Sequence, residues 1–212
     1  MSTNRFFITG TDTGIGKTVA SALLCAALDA IYWKPIQTGS REGTDRAAVM
    51  RMAAMPRTRT LPEAYCFAPP VSPHLAARLA GKRIDLRTIR MPALPGRENL
   101  IAEGAGGVLV PVNEKQLMTA LMQRLNFPIV LVTRSSLGTI NHTLLSMAAL
   151  RAADLDIRGV VMVGKPNAEN RKAIEHYGNV RVIGLIPPLR RLNRAALIKA
   201  FRKYFDRRAF AE

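Results

Sequence analysis

The sequence is poor in cysteine and histidine and has no long apolar run. Its two cysteines, Cys25 and Cys66, lack CxxC spacing, and its three histidines do not cluster, so we expect free thiols in a reducing compartment. No stretch reaches the roughly 18 uninterrupted apolar residues of a membrane helix, because Ser21 and Asp29 interrupt the best candidate. The first residues, MSTNRFF, lack the basic and apolar segments of a secretion signal. We therefore predict a cytoplasmic protein with no membrane partner.

Acidic residues are also scarce relative to basic ones. The 212 residues include 31 Lys and Arg against 15 Asp and Glu, a formal net charge of +16. This surplus favours anionic partners such as nucleotides, carboxylates or nucleic acid, and it does not choose among them.

Short apolar runs alternate with helical patterns along the chain. The length suits one domain, which we place at 1–212. The candidate strands are 5–9, 31–33, 100–102, 129–132, 160–163 and 182–185; the candidate helices are 45–55, 73–80, 114–125, 141–153 and 169–176, with another after Gly16. This alternation predicts an α/β fold: a doubly wound, mostly parallel sheet with helices on both faces.

The tail, residues 190–212, is markedly basic. Its apolar positions Leu197, Phe201, Tyr204 and Phe205 have helical spacing, which predicts a basic amphipathic helix at about 190–208 packed on the domain. Contact with a membrane or with nucleic acid is the alternative interpretation.

Residues 10–18, GTDTGIGKT, lie between a predicted strand and a predicted helix. Gly16 permits close backbone approach to an anion, Lys17 can reach the β- and γ-phosphates, and the Thr18 hydroxyl can bind Mg²⁺. The pattern G-x-x-x-x-G-K-[ST] is displaced by one residue, because Thr11 occupies the first glycine position and Gly10 precedes it. A dinucleotide GxGxxG pattern is absent. The loop therefore predicts a site for a triphosphate with a metal ion.

Three charged residues are candidates for the rest of that site. Glu103 ends an apolar run and opens EGAGG, where it can bind Mg²⁺ or cap loop N–H groups. Asp45 can bind Mg²⁺ or, with Thr44, can simply start a helix. Lys34 follows the second strand and can face a transferred phosphate or lie on the surface. No Ser-His-Asp or Cys-His arrangement is evident, which fits an enzyme whose nucleophile belongs to its substrate.

Five motifs in order, GTDTGIGKT, KPIQTGS, SPHLAA, EGAGG and LGTINHT, resemble the dethiobiotin synthetase family of P-loop NTPases. The resemblance runs from about residue 5 to residue 187. It implies an ATP- and Mg²⁺-dependent cyclo-ligase of biotin biosynthesis. Such enzymes carboxylate one amine of 7,8-diaminononanoate with CO₂ or bicarbonate, phosphorylate the carbamate from ATP, and close the ureido ring with the neighbouring amine.

The resemblance also implies roles for individual residues. Lys17 and Lys34 would be catalytic, and Thr18, Asp45 and Glu103 would bind Mg²⁺. The residues that would contact ATP are Thr13, Gly14, Ile15, Gly16, Lys17, Thr18, Val19, Glu103 and Gly106. Thr11 and Thr38 would contact the diamine, and Asn141 of the partner subunit would reach its carboxylate, which implies a homodimer.

The sequence departs from the family pattern at three places. Gly14 stands where relatives often carry an acidic residue, and the segment before Lys34 is short. Val163 and Gly164 stand near the position of an adenine-reading asparagine in some relatives, so this chain lacks that amide.

The main alternative is a partitioning-type or regulatory P-loop ATPase whose basic surface binds nucleic acid. Those proteins usually carry a second lysine early in the loop, where this chain has residues 11–13, and they lack SPHLAA. We therefore do not expect a nucleic-acid partner. A family member without turnover is a third possibility, and the intact lysines and carboxylates argue against it.

Overall fold

The computed structural model describes residues 4–94, 96 and 98–211. Residues 1–3 and 212, the two ends of the predicted 1–212 domain, lie outside the described residues. Within the described part, no helix has both the length and the apolar character needed to cross a membrane.

Every predicted strand and helix has a counterpart in the structure. The strands are Arg5–Gly10 (β1), Ile31–Trp33 (β2), Ile36–Gln37 (β3), Thr60–Leu61 (β4), Tyr65–Cys66 (β5), Leu100–Glu103 (β6), Ile129–Arg134 (β7), Ile157–Val163 (β8) and Val182–Ile186 (β9). The α-helices are Lys17–Leu28 (α1), Asp45–Ala53 (α2), Pro73–Leu79 (α3), Met118–Leu125 (α4), Thr139–Ala152 (α5), Ala168–Gly178 (α6) and Arg194–Tyr204 (α7).

Seven of these strands form one sheet in the order β4-β2-β6-β1-β7-β8-β9, and every strand pairing in it is parallel. β3 and β5 form a separate parallel pair. The predicted α/β fold class is thus confirmed. From β1 the chain passes first to β2 on one side and later to β7 on the other. Loops therefore diverge at the carboxyl end of β1, the position at which such sheets bind ligands.

Side-chain alternation along the strands divides the core between the two faces of the sheet. Phe6 and Ile8 of β1 pack in the cluster that includes α1, α2 and α7, whereas Phe7 packs in the cluster that includes α3, α4, α5 and α6. Tyr32 of β2 and Ile101 of β6 share the α1 face with Phe6. Because side chains alternate with a period of two, Lys34 and Glu103 continue that same face beyond Tyr32 and Ile101.

The helix predicted over 114–125 begins later, at Met118, so its predicted start was wrong. Asn113 explains the difference, because its Oδ1 accepts hydrogen bonds from the backbone N–H groups of Lys115 and Gln116 and holds them in a turn. The N–H of Met118 then donates to the carbonyl of Val110. The strands β3, β4 and β5 were not predicted, because two residues are too few to show an alternating pattern.

The tail helix α7 is shorter than the predicted 190–208 and begins after Asn193, whose side chain accepts a hydrogen bond from the N–H of Ala196. Leu197 and Phe201 are buried against α1. The ring of Phe205 packs on Gly184 of β9, where a Cβ would lie 2.4 Å from it.

Phe210 closes this face of the core. It is 2% exposed, and its ring centroid lies 5.5 Å from that of Phe6, 5.7 Å from Phe201 and 6.0 Å from Phe205. We expect Phe210→Ala to lower the free energy of unfolding by about 3–5 kcal/mol, because it leaves a cavity among these rings. Urea unfolding would measure the loss. The exposed Tyr177 is the control, and Tyr177→Ala should change stability by about 0.5 kcal/mol or less; equal effects would contradict the packing role.

Candidate functional site

A cavity of about 680 Å³ opens at the carboxyl ends of β1, β2 and β6. Four chain segments line it: the glycine loop with the start of α1, the connection from β2 to α2, residues 70–73, and the segment that follows β6. The predicted site residues in its lining are Thr13, Gly14, Gly16, Lys17, Thr18, Val19, Lys34, Thr38, Asp45, Glu103 and Gly106. The structure thus gathers in one cavity most of the residues that the sequence singled out.

The glycine loop has the backbone geometry of an anion site. Gly14 and Gly16 have φ angles of 72° and 99°, in the left-handed region that favours glycine. Gly16 is the N-cap of α1, so the unpaired N–H groups of the first helical turn face the loop. Gly10 packs closely on Ile15, because a Cβ there would lie 2.5 Å from Ile15 Cδ1 and would require that side chain to shift. The displaced first glycine thus makes room for the Ile15 side chain.

Lys17 is buried at the start of α1, with its Nζ 2.7 Å from the carbonyl oxygen of Asp12. Burial lowers its pKa from the ordinary 10.5 to about 8, although the nearby Glu103 carboxylate acts in the opposite direction. A phosphate anion in the loop would favour the charged form of this lysine.

Thr18, Asp45, Glu103 and Lys34 meet at one point of the cavity. The Thr18 hydroxyl lies 2.9 Å from Asp45 Oδ1 and 3.0 Å from Glu103 Oε1. Lys34 Nζ lies 2.6 Å from Asp45 Oδ2 and 3.2 Å from Glu103 Oε1. The cluster therefore pairs two carboxylates with one buried ammonium group.

These charges shift one another's pKa values. Burial alone would lower the pKa of Lys34, but Glu103 and Asp45 outweigh burial and raise it above 10.5. Burial alone would raise the pKa of Asp45, but the charge and hydrogen bonds of Lys34 outweigh it, and the pKa falls below 3.8. Both groups are thus charged at neutral pH.

Asp45 serves the helix start and the cavity at once. Thr44 is the N-cap of α2, and its side chain accepts a hydrogen bond from the N–H of Ala47. The N–H of Asp45 donates to Gln37 Oε1 at 3.0 Å. Because Thr44 and Gln37 provide these helix-start hydrogen bonds, the Asp45 carboxylate is available to Lys34 and Thr18.

Sequence reasoning missed the groups that hold the second oxygen of Glu103. Ser21 Oγ lies 2.7 Å and Tyr32 Oη 3.0 Å from Glu103 Oε2. A signal was present for both, because Ser21 follows Thr18 by one helical turn and Tyr32 precedes Lys34 by two strand positions. Gln37 was also missed, although it lies within the KPIQTGS motif.

The oxygen atoms of Thr18, Asp45 and Glu103 fit a magnesium ion. Mg²⁺ prefers carboxylate and hydroxyl oxygens, uses one or two carboxylates, and keeps several waters. Among the residues that the structure describes, no three or more His, Cys, Asp or Glu residues gather as a metal site. The donor set thus matches Mg²⁺ held together with a phosphate ligand rather than a closed protein cage.

Three predicted contact residues lie outside the cavity lining. The Ile15 side chain is buried. Thr11 Oγ1 lies 3.4 Å from Thr133 Oγ1. Asn141 is exposed in the first turn of α5.

Two further positions are tightly packed against the loops of the site. At Gly106, φ is 70°, and a Cβ would lie 2.6 Å from Val110 Cγ2. The Val163 side chain lies against the glycine loop, because a Cβ on Gly16 would be 3.1 Å from Val163 Cγ1. An apolar side chain therefore covers this part of the loop.

Comparisons with known proteins agree with this geometry. A family model described as an AAA domain matches residues 4–196. The ATP-dependent dethiobiotin synthetase BioD of Rhodopseudomonas palustris (strain TIE-1) is 45% identical over 206 residues, 97% of this chain and 96% of the relative. The enzyme of the same name from Paramagnetospirillum magneticum is 52% identical over 183 residues, 86% and 87% of the two chains. The enzyme of the same name from Brucella melitensis biotype 1 is 46% identical over 210 residues, which cover 98% of this chain and 97% of the relative.

Solved structures share the fold at much lower identity. The MinC:MinD cell division complex of Aquifex aeolicus aligns with a TM-score of 0.52 at 14% identity, covering 94% of this chain and 95% of the other. A ParA family ATPase from Chlorobium tepidum aligns with a TM-score of 0.50 at 14% identity, covering 94% and 90%. At such identity the likeness concerns the fold alone.

The charge pairing around Asp45 makes stability depend on pH. Because the folded-state pKa of Asp45 lies below its ordinary 3.8, its contribution is present above that value and is lost as the pH falls through the folded-state pKa. We expect Asp45→Asn to cost about 1–2 kcal/mol at pH 7 and progressively less below about pH 4.

Urea unfolding of both proteins at several pH values would measure this difference. The control is Glu169→Gln, which breaks an exposed ion pair with Lys172 and should change little at any pH. A stability difference for Asp45→Asn that stays constant down to pH 3 would contradict the assigned pairing.

Proposed function

The chain belongs to the ATP-dependent dethiobiotin synthetase family, and we propose that it closes the ureido ring of dethiobiotin from 7,8-diaminononanoate, CO₂ and ATP. It is an ATP-dependent ligase. The convergence of Thr18, Lys34, Asp45 and Glu103 beside the glycine loop carries the proposal. This cluster supplies the cation and the metal-binding oxygens that phosphoryl transfer requires.

The glycine loop would hold the ATP phosphates. The backbone N–H groups at the start of α1 point toward the loop, and Lys17 is the first residue of that helix. To reach a phosphate, Lys17 Nζ exchanges its hydrogen bond to the Asp12 carbonyl for one to a phosphate oxygen. The buried ammonium group then gains a full negative partner in place of a dipole.

Thr18, Asp45 and Glu103 would hold Mg²⁺. Bound there, the ion supplies charge neutralisation for the phosphates during transfer. Lys34, which pairs with both carboxylates, adds a second positive charge at the same end of the cavity. We assign it to the carbamate and the transferred phosphate.

The nucleophiles of the reaction belong to the substrate. One amine adds to CO₂ and loses a proton, which gives a carbamate. A carbamate oxygen attacks the γ-phosphorus, and the bond to ADP breaks. The second amine then attacks the carbamate carbon and loses a proton, and phosphate leaves as the ring closes. The protein holds these groups together and stabilises negative charge as it develops.

The diamine would lie in the same cavity, beside the segment that follows β6. Thr38 and Gly106 line it, and its apolar wall includes Pro70, Val71 and Val110. Such a wall suits the alkyl chain of a nonanoate, whereas Lys34 suits the carbamate end. With Thr38, we assign Thr11 of the glycine loop to this substrate, as the family resemblance implies.

We also propose a homodimer in which Asn141 of the partner subunit binds the substrate carboxylate. In a single chain Asn141 is exposed and outside the cavity lining. The large apolar side chains beside it, Leu137 and Leu145, are 98% and 64% exposed. An exposed apolar surface of this kind is typical of an interface between subunits. The N-terminus of α5 would add a favourable field for a carboxylate.

Diamine-dependent turnover tests the proposed reaction. With Mg²⁺, bicarbonate and ATP, phosphate release should require 7,8-diaminononanoate, and mass spectrometry should detect dethiobiotin. Lys17→Ala should lower the rate by about 100-fold or more, because it removes the charge that faces the transferred group.

Lys172→Ala is the matched control, since Lys172 is an exposed lysine of α6 that pairs with Glu169. Its activity should equal that of the wild type. Phosphate release that does not depend on the diamine would contradict the proposed reaction. Normal turnover by Lys17→Ala would contradict the assignment of the glycine loop to the ATP phosphates.

Mixing two defective variants tests the dimer. Lys17→Ala and Asn141→Ala should each be slow at low diamine concentration. In a mixed dimer one site carries both changes and the other carries neither. After random subunit exchange, the mixture should therefore regain roughly a quarter of wild-type activity, as follows for a two-fold symmetric dimer. Differently tagged chains would verify the exchange, and exchange without recovered activity would exclude a site shared in this way.

A further inference from the structure

Glu103 is the most completely bonded side chain of the site. It is 1% exposed, and each carboxylate oxygen has two neighbours that can donate hydrogen bonds. Thr18 and Lys34 lie 3.0 and 3.2 Å from Oε1, whereas Ser21 and Tyr32 lie 2.7 and 3.0 Å from Oε2. The two oxygens thus face different environments.

The oxygen Oε1 faces the cavity, and Oε2 faces the protein. Thr18, Lys34 and Asp45 line the cavity. Ser21 and Tyr32 are buried, with no exposed surface, and they do not belong to its lining. Two buried hydroxyl groups therefore hold one oxygen of Glu103, while the neighbours of the other oxygen are groups that line the cavity.

We propose that Tyr32 is a positioning residue, whose phenol orients the Glu103 carboxylate so that Oε1 faces the metal site. This inference rests on the proposed function, because it takes Glu103 as a ligand of Mg²⁺. Tyr32 touches neither the nucleotide site nor the substrate cavity and acts only through Glu103. Hydrogen bonds that orient a metal-binding carboxylate tighten metal binding by restricting the ligand to one geometry.

Tyr32 is suited to this role because its backbone is held by the sheet and its ring by the core. The strand that carries it, β2, lies between β4 and β6. Tyr32 pairs with Ile101 of β6, two positions before Glu103. The ring belongs to the core cluster shared with α1, which also carries Thr18 and Ser21. The phenol oxygen is therefore fixed by core packing, and rotation of the Glu103 carboxylate would cost both hydrogen bonds to Oε2.

Calorimetric titration of the whole protein with ADP, in EDTA and at increasing Mg²⁺, tests the proposal. Tyr32→Phe keeps the ring and removes only the hydroxyl. We expect ADP affinity in EDTA to equal that of the wild type, because Lys17 and the loop are unchanged. We define the Mg²⁺ midpoint as the Mg²⁺ concentration that gives half of the metal-dependent gain in ADP affinity. This midpoint should rise by about 10-fold, as is typical when a group that orients a metal ligand is lost.

Two further variants complete the design. Tyr65→Phe is the matched control, because its phenol lies 2.9 Å from Thr88 Oγ1 and accepts a hydrogen bond from the N–H of Asp85, away from Glu103. Its Mg²⁺ midpoint should not move. Ser21→Ala removes the other donor to Oε2 and should shift the midpoint in the same direction as Tyr32→Phe, which keeps the proposal testable if that variant folds poorly.

An unshifted Mg²⁺ midpoint in Tyr32→Phe would overturn the inference. Equal losses of ADP affinity in EDTA and in Mg²⁺ would also overturn it, because they would indicate a purely structural role. The titration contains no diamine, so its result is independent of turnover. If the midpoint of Tyr32→Phe shifts but the wild type makes no dethiobiotin, the positioning role of Tyr32 is supported and the proposed reaction is refuted. If the midpoint does not shift but the wild type makes dethiobiotin, the reaction is supported and the positioning role is refuted.

Discussion

Burial of the Glu103 carboxylate is the constraint on which the site depends. An unpaired charge in a protein interior costs several kcal/mol, so a buried carboxylate persists only where donors and a cation surround it. The surrounding groups come from α1, β2 and the turn after β2: Thr18 and Ser21, Tyr32, and Lys34. These three segments are thereby held at fixed distances around one side chain.

The sheet explains why these groups can meet. β2 and β6 are parallel neighbours in register, so Tyr32, Lys34 and Glu103 alternate onto the same face. Helix α1 covers that face and presents Thr18 and Ser21 one turn apart. The core that stabilises the fold on this side therefore also positions the polar groups of the cavity.

The two lysines of the cavity have different electrostatic surroundings. Lys17 is costly to keep charged, since burial lowers its pKa to about 8, whereas Lys34 is held charged by two carboxylates. An incoming triphosphate would relieve the desolvation of Lys17, and a metal ion would share the carboxylates that Lys34 neutralises. The fold provides the loop and helix, and the residues beyond β2 and β6 provide the other charged groups of the cavity.

The sequence by itself determined what is local and periodic. It was sufficient for the six longer strands, for most helix positions, and for a glycine loop with Lys17 and Thr18, because a period of two or of 3.6 residues and the freedom of glycine are properties of short segments. It also singled out Lys34, Asp45 and Glu103. Only the tertiary structure decided that Ser21 and Tyr32 meet at Glu103, that Asp12 holds Lys17, that Asn113 delays α4, and that Asn141 lies outside the cavity of its own chain. Tyr32 and Glu103 are 71 positions apart, and a contact of that kind depends on strand order and register, which no local pattern encodes.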